Sequence, residues 1–275
     1  MRRFGDAVLS WLAALAAAFQ FLTRFPLAVR MTPADVHFRR SVVFFPAAGL
    51  AVGAVTAGIA WALAQVAPPS VAGILAVAVW TLVTGALHLD GLMDTADGLF
   101  SHRPRERMLE IMKDSRSGPM GVMACVLDLL LKAACLIYLA EMDVRMAWLL
   151  LALVPVWSRA FMACAIVRWP YARKEAGLGA LFRSARGRHA WAAWAVAMLI
   201  TVPAVFSQTG TGAAKWGLAL GFCLLAYGIG AALASAINRK LGGLTGDVYG
   251  ALNEADEIVL LLGIVICLHN GVFVA

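Results

Sequence analysis

Long apolar runs separated by short polar stretches set the pattern of this chain. Seven of them, at about 41–66, 70–97, 119–140, 147–167, 189–206, 215–237 and 257–274, approach or exceed the ~17–25 helical residues that a ~30 Å hydrocarbon core demands. No acid-rich or Pro/Ser-rich linker divides them. The pattern predicts an all-α, polytopic integral membrane protein with about seven transmembrane helices, folded as a single domain over 1–275.

The first 26 residues differ. Arg2 and Arg3 precede Trp11-Leu12-Ala13-Ala14-Leu15, and the run closes on Phe21-Leu22-Thr23-Arg24-Phe25-Pro26. It has no convincing small-residue cleavage site, which argues against a secretory leader. Gln20 and Arg24 also make it a poor spanning helix. Residues 7–25 are therefore expected to form an interfacial or re-entrant helix.

Lys and Arg sort by loop. Loop 27–40 holds three, 98–118 five, 168–188 six and 238–256 two, whereas 67–69 and 207–214 hold none and 141–146 holds Arg145 alone. Sixteen thus fall on one side and one on the other. The positive-inside rule places the basic loops in the cytoplasm and the C-terminus outside. Composition agrees: the chain is 62% hydrophobic and 14% charged, against ~45–50% and ~25% in soluble domains. Its net charge of +7 does not signal a nucleic-acid partner, because the basic residues are distributed by loop rather than gathered on a face. Cys125, Cys135, Cys164, Cys223 and Cys267 lie inside apolar runs without CxxC spacing and read as packing residues.

Against this background one polar stretch stands out: His88-Leu89-Asp90-Gly91-Leu92-Met93-Asp94-Thr95-Ala96-Asp97-Gly98. In a helix Asp90, Asp94 and Asp97 fall within ~60° of one another. Three carboxylates on one face repel each other, and a hard divalent cation, Mg²⁺ above all, relieves that repulsion while engaging substrate phosphates. Counted along a straight helix from Pro69, the bilayer runs out near residue 89 at ~1.5 Å per residue, so the aspartates are expected at the cytoplasmic surface. His88 could orient a carboxylate, take a proton or serve as an ordinary hydrogen-bonded core residue.

Three further stretches join it. Glu110 and Asp114 form a second acidic i, i+4 pair, followed by Arg116 with Ser115, Ser117 and Gly118 as donors for a phosphate. Asp128 and Lys132, inside the third run, read either as a structural ion pair or as a substrate contact. Loop 238–256 combines Gly242, Gly243 and Gly246 with Thr245, Asp247, Glu254 and Glu257 on the same side of the membrane as the aspartates. Backbone N–H groups there would take phosphate oxygens while carboxylates hold the metal, so the two stretches are expected to form one site. The Arg173–Gly179 stretch, basic and then Gly-rich, is a weaker signal of the same kind.

Taken together, these stretches resemble the cobalamin synthase (adenosylcobinamide-GDP ribazoletransferase) family along nearly the whole chain. The matching pieces are Phe21–Pro26, Phe45-Pro46 with Gly49, His88–Gly98, Ile111–Arg116 with Gly118 and Gly121, Lys132, and Gly243–Asp247 with Gly250 and Glu254. Met93 and Met120 stand where different side chains are expected. The resemblance implies transfer of adenosylcobinamide phosphate from adenosylcobinamide-GDP to α-ribazole, or to its 5′-phosphate, with release of GMP. It also implies Mg²⁺ and a place in the inner membrane. Asp90, Asp94, Asp97 and Asp114 would be the metal ligands, with Asp94, Asp97 and Asp114 catalytic. His88, Arg116, Lys132, Gly243, Thr245, Gly246, Asp247 and Glu254 would meet the substrates. A homo-oligomer is compatible with the sequence.

Two other readings share some of these features. Asp94-Thr95-Ala96-Asp97-Gly98 matches the opening of a CDP-alcohol phosphotransferase signature, though Ser101-His102 and the short spacing to Asp114 depart from it. A cation-coupled transporter would also use intramembrane acids, but at the bilayer midplane rather than its surface.

Overall fold

The computed structural model describes residues 2–27, 35–142, 144–173, 178–208 and 211–271. Arg30, Lys174, Glu175, Gly177 and the last residues of the run expected to reach 274 lie outside them. Eleven α-helices account for most of the described chain: α1 (Arg2–Leu22), α2 (Asp35–Ser41), α3 (Phe45–Ala64), α4 (Pro69–Thr84), α5 (Leu87–Phe100), α6 (Arg105–Ile111), α7 (Pro119–Met142), α8 (Arg145–Arg168), α9 (Gly187–Phe206), α10 (Gly212–Leu241) and α11 (Gly246–His269). The described residues contain no strand, only an isolated parallel bridge between Tyr171 and Leu244.

Five helical stretches are long and apolar enough to cross a bilayer, or six with α4 and α5 counted as one broken span. The structure supports an all-α polytopic membrane protein but does not establish the expected seven spans. α8 is the centre, buried along most of its length. Against it lies α3, whose Gly49 and Gly53 sit four apart on one face. A Cβ at either would collide with the carbonyl of Pro155 or Ala152, so their absence lets the two backbones touch. Gly73 does the same for α4 on α7, where a Cβ would come within 2.6 Å of the Ile137 nitrogen. α1 turns Ala14, Ala17, Ala18 and Leu22 inward and leaves Leu9, Trp11 and Leu12 exposed.

Two expectations need correction. The run 70–97 is not one straight helix: α4 ends at Gly85 (φ +63°) and Ala86 (φ +57°), and α5 leaves at 90°. The amide of Gly85 bonds back to Leu82, and that of Ala86 to Thr81, closing α4 in the manner of left-handed helix ends. A side chain on Gly85 would strike Arg24. The aspartates therefore lie on a helix turned across α4, and depth cannot be counted straight through them. The second correction concerns the last run. α11 begins at Gly246, not near 257, because Thr245 caps it: its Oγ1 accepts the Val248 N–H at 3.3 Å. Most of the expected loop 238–256 is helix, and Glu254 and Glu257 lie deep in the bundle.

The four basic loops meet at one end. Arg105 donates to the Leu241 carbonyl at 2.5 Å, Arg173 to the Met112 carbonyl at 3.3 Å, and the Phe38 and Phe182 rings meet edge to face at 6.0 Å.

Candidate active site

The site is built where α5 crosses the start of α11. Gly91 and Gly250 make the crossing close. A Cβ on Gly91 would lie 2.6 Å from the Asp247 carbonyl oxygen, and one on Gly250 would lie 2.9 Å from that of His88. The acidic helix and the residues after Gly243 are thus neighbours, as the sequence predicted. They share a cleft of about 240 Å³ whose wall includes His88, Asp90, Tyr171, Arg173, Gly246 and Asp247. Asp94 lies under the electrostatic influence of Asp90, Asp247 and Asp97, opposed by Arg173.

The turn that precedes α11 is a scaffold. Gly243 (φ +152°) presses on the 170–172 strand-like segment, where a Cβ would come within 2.6 Å of the Ala172 nitrogen. Ala172 N–H donates to Leu244 O and Leu244 N–H to Pro170 O, both at 2.8 Å. Thr245 is fully buried. Besides capping α11 it donates to Asp247 Oδ2 at 3.3 Å. Of the glycine-loop residues expected at the substrates, Gly246 and Asp247 reach the cleft, whereas Gly243 and Thr245 hold the turn.

Asp97 is engaged otherwise than expected. Its Oδ2 accepts the Gly118 N–H at 2.6 Å and its Oδ1 accepts the Gly121 N–H at 2.8 Å. It caps the positive end of α7, where a carboxylate is stabilised. The Gly118 donor foreseen for a phosphate is therefore committed to Asp97.

Asp114 and Arg116 pair with each other on the surface: Arg116 Nη2 lies 2.7 Å from Asp114 Oδ2, and its Nε lies 3.0 Å from Oδ1. That guanidinium holds the Asp114 carboxyl at about 2, so it is a weak proton acceptor. Neither residue lines the cleft.

Lys132 and Glu254 belong to a buried charge cluster in the bundle. Lys132 Nζ pairs with Glu254, with Glu257 at 2.9 Å and with Asp128 at 3.3 Å. The Asp128 contact is close enough for an ion pair but lies off hydrogen-bond direction. Arg159 Nη1 meets Glu257 at 2.6 Å, and its Nη2 faces His88 Nδ1 at 3.4 Å. The cluster thus stands behind His88 and does not itself line the cleft.

Sequence reasoning passed over Tyr171 and gave Arg173 little weight among six basic residues. Their proximity to the Gly243 turn was the missing signal, and it is a tertiary fact.

Among the described residues no group of three His, Cys, Asp or Glu side chains is already gathered for a metal. Mg²⁺ does not require one: it keeps several waters and takes one or two carboxylates together with substrate phosphates. The donor set fits that habit, since Asp90 and Asp247 line one cleft and both act on Asp94.

The sequence model for cobalamin-5-phosphate synthase matches residues 14–265. A protein of Desulforamulus reducens named adenosylcobinamide-GDP ribazoletransferase is 38% identical over 256 residues, covering 91% of this chain and 97% of its own. Proteins of the same name from Geotalea daltonii and Pseudomonas entomophila are each 39% identical, cover 90% of this chain, and are themselves 95% and 96% covered. No solved structure matches the chain.

Proposed function

The chain belongs to the cobalamin-5-phosphate synthase family, and from that premise we propose that it transfers adenosylcobinamide phosphate from adenosylcobinamide-GDP to α-ribazole or α-ribazole 5′-phosphate, releasing GMP. The observation that carries this reading is the meeting of α5 and α11 at Gly91 and Gly250, which puts carboxylates from two distant stretches around one cleft with a guanidinium. A pyrophosphate calls for that mixture. The ribazole hydroxyl attacks the phosphorus on the cobinamide side, the anhydride P–O bond breaks, and GMP departs with the bridging oxygen. Such a transfer depends on positioning and charge neutralisation more than on covalent chemistry.

Asp90 and Asp247 are the carboxylates for Mg²⁺, and when bound the cation would neutralise pyrophosphate oxygens. Asp94, which feels the charges of Asp90, Asp247 and Asp97 against that of Arg173, is the carboxylate we assign to the hydroxyl proton. Asp97 positions α5 against α7. The same chemistry on a lipid alcohol would need a different family signature, and the relatives' names favour the corrinoid.

Purified protein in detergent, given adenosylcobinamide-GDP, α-ribazole and Mg²⁺, is expected to release GMP in step with corrinoid product. GMP release independent of α-ribazole would overturn the transfer reading in favour of hydrolysis.

The sixteen-to-one division of Lys and Arg and the convergence of the basic loops support a cytosol-facing cleft in the inner membrane. In a cysteine-free background, Ser184→Cys should label only from the cytoplasm and Ser207→Cys only from outside. Labelling of both from outside would reverse this orientation.

A further inference from the structure

Three side-chain atoms of residues lining the cleft are buried without a hydrogen-bond partner: Arg173 Nε, Tyr171 Oη and His88 Nε2. Each such group carries a desolvation cost, and three on the residues of one small cleft mark a place where a ligand completes the bonding. All three can donate. A guanidinium has no acceptor. His88 Nδ1 faces Arg159 Nη2 at 3.4 Å, and since that partner can only donate, Nδ1 accepts and the ring proton sits on Nε2. Tyr171 supplies a hydroxyl. Three unpaired donors on residues that line one cleft call for an anion, and Arg173 is the one Lys or Arg among the residues that line it.

Arg173 is also committed elsewhere. Its Nη2 lies 2.7 Å from Asp247 Oδ2 and 3.3 Å from the Met112 carbonyl. Its backbone is held in place, because its carbonyl accepts from Arg183 Nη2 at 2.6 Å and the preceding residue bonds to Leu244. The long side chain can therefore change partner while the main chain stays put. Asp247 is a carboxylate that a divalent cation would also claim.

We propose that Arg173 is an exchangeable counter-ion: it pairs with Asp247 until a divalent cation takes that carboxylate, then swings to the phosphate of the departing nucleotide, where Tyr171 and His88 complete the donor set. The inference rests on the phosphate-transfer reading and adds the residue that binds the leaving group. Arg116, paired with Asp114 on the surface, does not compete for that role.

The test measures two affinities without turnover: GMP binding by calorimetry at saturating Mg²⁺, and Mn²⁺ binding by electron paramagnetic resonance without nucleotide. Arg173→Gln is expected to weaken GMP by about tenfold, equivalent to ~1.4 kcal/mol, and to strengthen Mn²⁺ several-fold, because Asp247 loses its competing cation. A residue that merely held the fold would weaken both. Tyr171→Phe, which leaves the ion pair intact, should weaken GMP about threefold or more with Mn²⁺ unchanged. GMP affinity within twofold of the parent protein in both variants, or weaker Mn²⁺ binding in Arg173→Gln, would overturn the proposal. Failure of the parent protein to release GMP from adenosylcobinamide-GDP would instead overturn the transfer reading, so the two failures are distinguishable.

Discussion

Asp247→Asn is expected to lower turnover by about 10²–10³-fold or more while the protein still inserts and purifies as the parent does. Asp247 stands at the point where α11 meets α5, half-enclosed between Arg173 and the Gly91 backbone. Amidation removes the charge a cation needs but keeps the shape and one acceptor for Thr245 and Arg173. Asp94→Asn should behave alike, since Asp94 shares the same field. Asp97→Asn should differ in kind: one of its two acceptors for the α7 amides becomes a donor, so stability falls by about 1 kcal/mol alongside activity. Asp114→Asn, on the exposed pair with Arg116, should change turnover by less than about threefold. Rates of GMP release at saturating Mg²⁺, with gel filtration as the check on folding, distinguish the four. Asp247→Asn within threefold of the parent rate would remove Asp247 from the metal site.

Lys132→Met is expected to destabilise the bundle by about 3–5 kcal/mol, the usual cost of stripping one partner from a buried ion pair. Glu254, Glu257 and Asp128 all converge on that ammonium, and Glu257 would keep only Arg159, Ser158 and Asn253. Adding Glu254→Gln to Lys132→Met should restore part of the loss, because fewer carboxylates then remain uncompensated. Unfolding in mixed dodecyl maltoside and dodecyl sulfate micelles reads both. A Lys132→Met protein as stable as the parent, but with a raised KM for either substrate, would restore the substrate-contact reading.

What the sequence made legible follows from how local each signal was. The spacing of Asp90, Asp94 and Asp97 needs only a helix to be meaningful, and α5 is one. The shared side of loops 98–118, 168–188 and 238–256 needed only a count of charges, and the loops do meet. The right-angle break at Gly85-Ala86 was hidden because both residues are apolar and keep a hydropathy window smooth. Nothing local marks Ala86 as left-handed; the turn is fixed by Arg24 packing over Gly85. The start of α11 escaped for a related reason. Asp247, Glu254, Asp256 and Glu257 make the segment look like a loop, yet Glu254 and Glu257 are neutralised by Lys132 and Arg159 from other helices. One local clue was present: Thr245 followed by Asp247 is a cap with an acid in the first turn. Arg116 and Arg173 were exchanged in importance because each takes its role from a carboxylate, Asp114 or Asp247, and only one of those faces the cleft.

The cluster around Lys132 also sets an order of events during synthesis. α7 enters the bilayer carrying Lys132 and Asp128, one turn apart, so the ammonium has a partner on its own helix from the outset. Glu254 follows 122 residues later, a wait of roughly 6–25 s at ordinary ribosome speed. Arg159 waits in the same way for Glu257, 98 residues on, with only the Pro155 carbonyl and Ser158 on its own helix. The last helix is thus the latch of the bundle. Nascent chains arrested before Gly246 should be prey to membrane proteases, and chains released after His269 should resist them.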